Sequence, residues 1–381
     1  MLRVLQLIPT LDRSGAEKQM VLLAAGLPRD RFAVEVAALT RLGPLAEELQ
    51  QAGIPVTLIG KRHKADPFTL ARLASFLRKK RFDVLQTWIF AANTYGRVAA
   101  RMAAVPVVVT AEMAVDLWKS PGHLAIDRRL ARRTDRVVGN SQAVVDFYRD
   151  RAGVPSHKLE MIASGIADLD APATTFTRDD TRRRLNVPEG APVALFAGRL
   201  APQKAVDVLL KAIDVLSHVR PDLITLIAGD GPQRDRLEEM ARAFDLVDTG
   251  RARFLGHRDD VPDLIEACDL LVLPSRFEGL PNVVLEAMQR GKAVVATAAP
   301  GTTEIVSDGE TGLLVPLDNP TELARAIRRV IEGPDLARSL GAAGRDRVAS
   351  SFRADAMIQR FADLYEELAR SKGILTQIEV N

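Results

Sequence analysis

The chain of 381 residues has a single cysteine, Cys268, so neither an intrachain disulfide nor a multi-cysteine metal site can form. That scarcity fits a reducing cytoplasm, and Cys268, within the largely apolar stretch Ile265–Leu273, reads as a small buried hydrophobe. Aromatic residues make up only 5%, too few for the stacking platforms of a single-strand nucleic-acid binder. A net charge of +3 leaves no electrostatic footprint for DNA, so no nucleic-acid partner is expected. No apolar run approaches the roughly 18 residues of a membrane span. The opening Met1–Ile8 stretch is too short and interrupted for a signal-peptide core. A cytoplasmic protein is expected. The five histidines show no H-x-x-x-H spacing and no D-x-D stands at a strand end, so no metal is expected. The absence of G-x-x-x-x-G-K-[ST] excludes a P-loop NTPase, and the absence of G-x-S-x-G argues against a hydrolase triad.

What is present is an ordinary globular composition, 47% hydrophobic and 27% charged, with length enough for two to three domains. The small net charge conceals a division. Residues 1–168 carry 25 Lys+Arg against 16 Asp+Glu, and the remainder carries 27 against 33. A basic half joined to an acidic half suggests two domains with different partners.

Short Val/Ile/Leu-rich runs alternate with amphipathic helical stretches, the mark of parallel sheets covered on both faces. One series of expected strands comprises Val4–Ile8, Ala33–Leu39, Val56–Ile59, Val84–Thr87, Val107–Thr110 and Arg136–Val138. A second comprises Val193–Ala197, Leu223–Ala228, Arg253–Leu255, Leu270–Leu273, Ala293–Ala296 and Gly312–Val315. The predicted architecture is α/β: two Rossmann-like doubly wound domains, 1–168 and 191–353. A polar linker, 169–190, joins them, and a final helix and tail, 354–381, is expected to pack back on the first domain.

Ligands of doubly wound sheets bind where strands hand over to helices. Four such loops stand out. Thr10–Glu17 contains Gly15, which permits close backbone approach at a helix start. Gly198–Lys204 carries Arg199 and Lys204, two cations suited to a diphosphate. Gly229-Asp230-Gly231-Pro232 reads as a tight turn into a helix. Pro274–Asn282 leads into a helix over Val283–Arg290, stopped by Gly291. In it, Glu278 belongs to the loop and Glu286 to the second helical turn, and a carboxylate can accept from two vicinal sugar hydroxyls. The N–H groups near Leu280–Val283 suit a phosphate.

These pieces, in this order, resemble the retaining GT-B glycosyltransferases of family 4 (glycosyl transferases group 1). The resemblance rests on Ala197-Gly198-Arg199-Leu200…Lys204, Ala228-Gly229-Asp230-Gly231-Pro232, Phe254-Leu255-Gly256, and Pro274-Ser275…Glu278-Gly279-Leu280-Pro281…Glu286-Ala287-Met288. Glu304-Ile305-Val306, Gly312–Val315, Ser14-Gly15-Ala16-Glu17, Asn140-Ser141 and Gly165-Ile166 complete it. It implies two domains facing a cleft and a metal-independent retaining hexosyltransferase with no cofactor. The co-substrate would be a UDP- or GDP-linked nucleotide sugar, and the acceptor a lipid-linked or envelope glycan. Arg199 and Lys204 would stabilise the departing diphosphate, with Glu278 on the transferred sugar and Glu286 on the ribose. Gly15 and Gly279, Leu280, Pro281 and Asn282 would complete the substrate cradle. Relatives often carry His where this chain has Glu112. That residue is expected either to face the donor sugar or to be a benign substitution. Trp88, Ser14, Ala205 and Ser164 are further departures. The arginine run Arg128, Arg129, Arg132, Arg133 and Arg136, with Arg78–Arg81, would suit an anionic membrane surface at the inner face. A sugar-nucleotide 2-epimerase and a catalytically degenerate scaffold are the competing expectations.

Overall fold

The structure, a computed structural model, describes residues 1–63, 65–167 and 175–375. It divides into two compact units. The first comprises the chain up to Ala167 together with the segment from Ala354 onward, and the second ends at Arg353. Each is a parallel α/β sandwich.

The first sheet has seven strands: β1 (Leu2–Thr10), β2 (Phe32–Arg41), β3 (Val56–Leu58), β4 (Val84–Trp88), β5 (Val107–Glu112), β6 (Arg136–Gly139) and β7 (Leu159–Met161), in the order β3-β2-β1-β4-β5-β6-β7. The second has six: β8 (Val193–Ala197), β9 (Ile224–Ala228), β10 (Ala252–Gly256), β11 (Leu270–Leu273), β12 (Ala293–Thr297) and β13 (Leu313–Val315), ordered β10-β9-β8-β11-β12-β13. All named pairings are parallel. Both sheets therefore reverse their winding once, between β1 and β4 and between β8 and β11. Loops leaving those strands turn to opposite faces and open a crevice at the carboxyl ends, the place where such sheets bind ligands. The two central strands β8 and β11 are buried along their whole length, which is why they read as unbroken apolar runs.

Two elements differ from expectation. β7 escapes the pattern because it is three residues long and carries Glu160 at its centre. Part of the stretch expected to be linker is folded: Arg178–Arg184 is a helix of the second unit. Thr177 caps it by accepting from the Asp180 N–H, Asp179 and Asp180 occupy its first turn, and Arg182–Arg184 its last, all favourable to the helix dipole. Arg178 and Arg182 then bind the carbonyls that end the helix Val261–Ala267 and pair with Asp269. Residues 169–174 of the expected linker lie outside the described residues.

The helix Ala354–Ser371 belongs to the first unit. It buries Met357, Phe361, Leu364, Tyr365 and Leu368 against the core built on β1, β2, β4 and β5. Tyr365 sits at a hub of buried polar groups: the Gln6 amide donates to its hydroxyl at 3.1 Å, and Trp88 Nε1 donates to Gln6 at 2.7 Å. Phe361 packs against Trp88, ring centroids 6.1 Å apart, and is 3% exposed. Truncating such a side chain removes apolar burial and leaves a cavity. Phe361→Ala is expected to destabilise the first unit by about 3–5 kcal/mol, read as a lower midpoint in urea unfolding followed by Trp88 fluorescence.

Candidate active site

The second unit places Arg199 and Lys204 in the loop after β8, and Glu278, Gly279, Leu280, Pro281, Asn282 and Glu286 in the loop and helix after β11; of these it joins Lys204 and Glu278 directly. The chain leaves β8 through Gly198, passes a short 3-10 turn at Pro202–Lys204, and enters the helix Val206–Ser217. Ala205, at the junction, has φ +49°, a left-handed conformation that favours glycine.

The loops after β8 and β9 are laced together by main-chain bonds. Gly198 N–H donates to Ala228, Leu200 N–H to Asp230, and Gln233 N–H to Leu200. Here the glycines of Gly229-Asp230-Gly231 acquire a further reason. Gly229 has φ +145°, and a Cβ on it would lie 1.9 Å from the Gly198 oxygen. A Cβ on Gly231 would lie 2.4 Å from the Leu200 oxygen. Both glycines exist so that the backbone bearing Arg199 can press against them. Arg199 itself is exposed, and its guanidinium makes no hydrogen bond or ion pair among the described residues.

The loop after β11 is fastened to the same turn. Arg276 N–H donates to the Gln203 carbonyl at 2.8 Å, and the Gln203 amide donates to the Phe277 carbonyl at 2.8 Å. The Arg276 guanidinium reaches Pro202 O, Asp207 and Asp318. Glu278 is thereby delivered to Lys204, Oε1 to Nζ at 2.5 Å, with side-chain exposures of 7% and 17%. From the far side, Glu278 N–H donates to Pro300 O, and Gly301, at φ +80°, comes so close that a Cβ would lie 1.8 Å from the Gly279 oxygen. The helix begins at Asn282 rather than Val283 and runs to Gln289, so Asn282 is its first residue and the positive end of its dipole faces this loop. Glu286, half-buried, stands one turn further on.

Gly15 and Glu112 lie in the first unit, at the carboxyl ends of β1 and β5. Gly15 opens the helix Gly15–Gly26. The loop before it is held by Glu17, whose buried carboxylate accepts from the Thr10 and Ser14 hydroxyls, and burial raises its pKa. Of the two expectations for Glu112, the outward-facing one is not met: within its unit the side chain is enclosed, 1% exposed. Around it stand Tyr148, Lys119, Asp116, Asp127 and Arg97, a cluster that sequence spacing did not signal, since Glu112 and Tyr148 are 36 positions apart. Burial, reinforced by Asp127 and Asp116 and opposed by Lys119 and Arg97, pushes the Glu112 carboxyl up to about 7. Among the described residues no group of three His, Cys, Asp or Glu is placed to hold a metal ion.

Comparison with known proteins now applies. A model described as Glycosyl transferases group 1 matches residues 177–347, and one described as Glycosyltransferase Family 4 matches residues 13–168. The chain belongs to the GT-B glycosyltransferases. Among its relatives, this glycosyltransferase is 29% identical over 292 residues to an alpha-D-kanosaminyltransferase of Streptomyces kanamyceticus, covering 73% of this chain and 75% of that one. It is 34% identical over 241 residues to the lipopolysaccharide core biosynthesis glycosyltransferase LpsE of Rhizobium meliloti, covering 63% and 66%. Its fold is similar to that of HepE from Anabaena, crystallised with UDP and glucose, with a TM-score of 0.84, 25% identity, and coverage of 96% of this chain and 100% of that one. The two Rossmann-like domains of this glycosyltransferase are the GT-B fold.

The contact at Gly229 yields a test. Gly229→Ala places a methyl against a carbonyl in a backbone conformation that costs about 1–3 kcal/mol for an L-residue. The variant is expected to melt several degrees lower and to be cut faster by trypsin after Arg199, as followed by mass spectrometry.

Proposed function

We propose that this glycosyltransferase moves a hexosyl group from a UDP-sugar to a hydroxyl of an envelope or lipid-linked glycan, with retention and without a metal ion. The observation that carries the reading is the convergence of an unpaired Arg199, the Lys204–Glu278 pair and the start of the Asn282–Gln289 helix at one winding reversal. A diphosphate brings negative charge to that point. Arg199 and Lys204 receive it, and the helix start adds its partial positive charge. Lys204, drawn to the phosphates, releases Glu278 to accept hydroxyl hydrogens of the sugar, while Glu286 takes the ribose. As the bond from sugar C1 to the phosphate oxygen breaks and the acceptor oxygen bonds to C1, the leaving diphosphate gains charge, and the fixed cations hold it more strongly than in the ground state. The acceptor proton departs with the diphosphate or to water. Because the positive charge is built into side chains, no divalent ion is required of this arrangement.

UDP is favoured as the nucleotide because HepE was crystallised with UDP-glucose, at 25% identity over 96% of this chain. The test is release of free nucleoside diphosphate from a panel of UDP- and GDP-linked sugars without acceptor, with EDTA present. UDP-glucose is expected to yield UDP. Arg199→Ala and Lys204→Ala are each expected to lower the rate about 10²–10³-fold, the cost of losing one transition-state contact. Release from GDP-sugars alone would overturn the nucleotide assignment. A product of unchanged donor mass would mean an epimerase.

The membrane-facing part of the reading rests on the first unit. A cavity of about 360 Å³ between the helices Ile89–Ala103 and Pro121–Ala131 has an apolar floor that includes Val98, Val105 and Leu130. Arg101, Arg129, Arg132 and Arg133 line it, and their guanidinium groups make no ion pair among the described residues. Arg128 and Arg136, by contrast, are spent on Ala152 O and on Glu160 and Glu367. No helix among the described residues is long and apolar enough to cross a membrane, so attachment would be at the surface. Each cation near an anionic leaflet contributes about 1 kcal/mol. Co-sedimentation at low salt is expected with phosphatidylglycerol vesicles and not with phosphatidylcholine ones, and to fall on replacing Arg129, Arg132 and Arg133 by Gln. Equal binding to both vesicles would remove this part of the proposal.

A further inference from the structure

The hydroxyl oxygen of Tyr148 has three polar neighbours. Glu112 Oε2 and Asp116 Oδ2 each lie 2.8 Å away, and the Lys119 ammonium donates to the same oxygen. A phenol has one proton to give. If it goes to one carboxylate, the other faces a lone pair at hydrogen-bonding distance, unless that carboxyl carries a proton itself.

The charges lead to the same requirement. Glu112, Asp116 and Asp127 set three negative charges against two positive ones, Lys119 and Arg97, and Lys119 has no exposed side-chain surface. One added proton makes the group neutral, and its place can be assigned. Asp127 is saturated by Arg97 at 2.7 Å on one oxygen and Lys119 at 2.8 Å on the other. Asp116 pairs with Lys119 at 2.9 Å, accepts from Trp118 Nε1 at 3.0 Å, and keeps 14% of its side chain exposed. Glu112 has its cation no nearer than 4.0 Å, and its second oxygen, Oε1, is buried with no hydrogen-bond partner. A bare carboxylate oxygen in that position is costly, whereas the carbonyl of a neutral acid is far less so.

We propose that Glu112 is a neutral carboxylic acid in the working protein, that it donates its proton to Tyr148, and that it serves as a positioning residue for the loop Met113–Ser120. Tyr148 then donates to Asp116 and accepts from both Glu112 and Lys119, so every short contact of the cluster has a donor and an acceptor. The loop is held through Lys119, which binds Asp116 and Asp127 and lies 4.8 Å from the centre of the Phe90 ring. It follows β5 directly, at the end of the sheet where ligands bind. The groups facing Glu112 come from the helices that bear Arg97, Asp127 and Tyr148 and from the loop that bears Asp116 and Lys119. The upward displacement of the Glu112 carboxyl, to about 7, agrees with this assignment.

The sign follows from linkage. The carboxyl is raised above its ordinary value of 4.5, so the protein is stabilised by its proton at low pH, and that contribution is lost as pH rises through about 7. Glu112→Gln reproduces the neutral acid, with an amide N–H to give Tyr148, but does not titrate. At pH 6 the wild type is expected to show the infrared C=O stretch of a protonated carboxyl that Glu112→Gln lacks. Tyr148→Phe is expected to keep the band and shift its frequency. Trp118 is 56% exposed and Trp88 1%, so iodide quenching reports the loop. Quenching is expected to rise above pH 7 in the wild type and to stay level in Glu112→Gln. A further readout, which alone rests on the donor assignment, is an alkaline decline in UDP-glucose hydrolysis that Glu112→Gln does not share. Superimposable infrared spectra of wild type and Glu112→Gln at pH 6, or identical quenching curves, would overturn the proposal.

Discussion

Strands in a parallel sheet must be connected by crossovers that return over one face, and once the winding direction changes, two neighbouring strands send their chains to opposite faces. Between β8 and β11 that divergence leaves a gap which no helix can fill. Everything in the candidate site follows from how the gap is bordered. Loops emerging there cannot lean on a helix packed beneath them, so they lean on one another, through the main-chain bonds between 198–200 and 228–230 and through Arg276 and Gln203. Such bonds demand backbone contact, and backbone contact demands the absence of a Cβ, which Gly229 and Gly301 satisfy. The rigidity of the site is therefore a property of loops sewn edge to edge.

The two units treat charge differently. In the second, Lys204 and Glu278 form a pair still partly open to solvent, whose partners can be exchanged for those of a ligand at modest cost. In the first, Lys119 is sealed among three acids and a tyrosine, with no side-chain surface left for a ligand. A buried charge that lacks a partner is costly to the fold, so each member of the sealed cluster is tied to the others. Position at a strand end is shared by Glu112 and Glu278; exposure of the partner separates a structural carboxylate from a candidate binding one.

Most of the architecture was legible because both sheets are parallel and covered, so that Val193–Ala197 and Leu270–Leu273 read as apolar throughout. Arg199, Lys204, Glu278 and Glu286 stand out as candidates because a strand followed by a loop and a helix is a local pattern. What escaped was short or non-local. β7 is three residues long with a charge in the middle, and the Arg178–Arg184 helix draws its stability from caps and from carbonyls 85–90 residues away. The enclosure of Glu112 depends on Tyr148, Asp127 and Arg97, which arrive on three different helices. No spacing rule joins them, so the sequence could offer a carboxylate at a strand end but not the walls around it.

The helix Ala354–Ser371 completes the core begun by β1, which makes the second unit an insertion within the first. On the ribosome this reverses the usual order of events. The earlier segment must wait, with the faces of Phe32 and Trp88 uncovered, until the whole second unit has been made and Phe361 and Tyr365 emerge. The later-made unit is one continuous stretch of chain and has no such dependence. The early strands thus keep their apolar faces uncovered longest, and a chain cut after Arg353 would leave a finished second unit attached to an unfinished first.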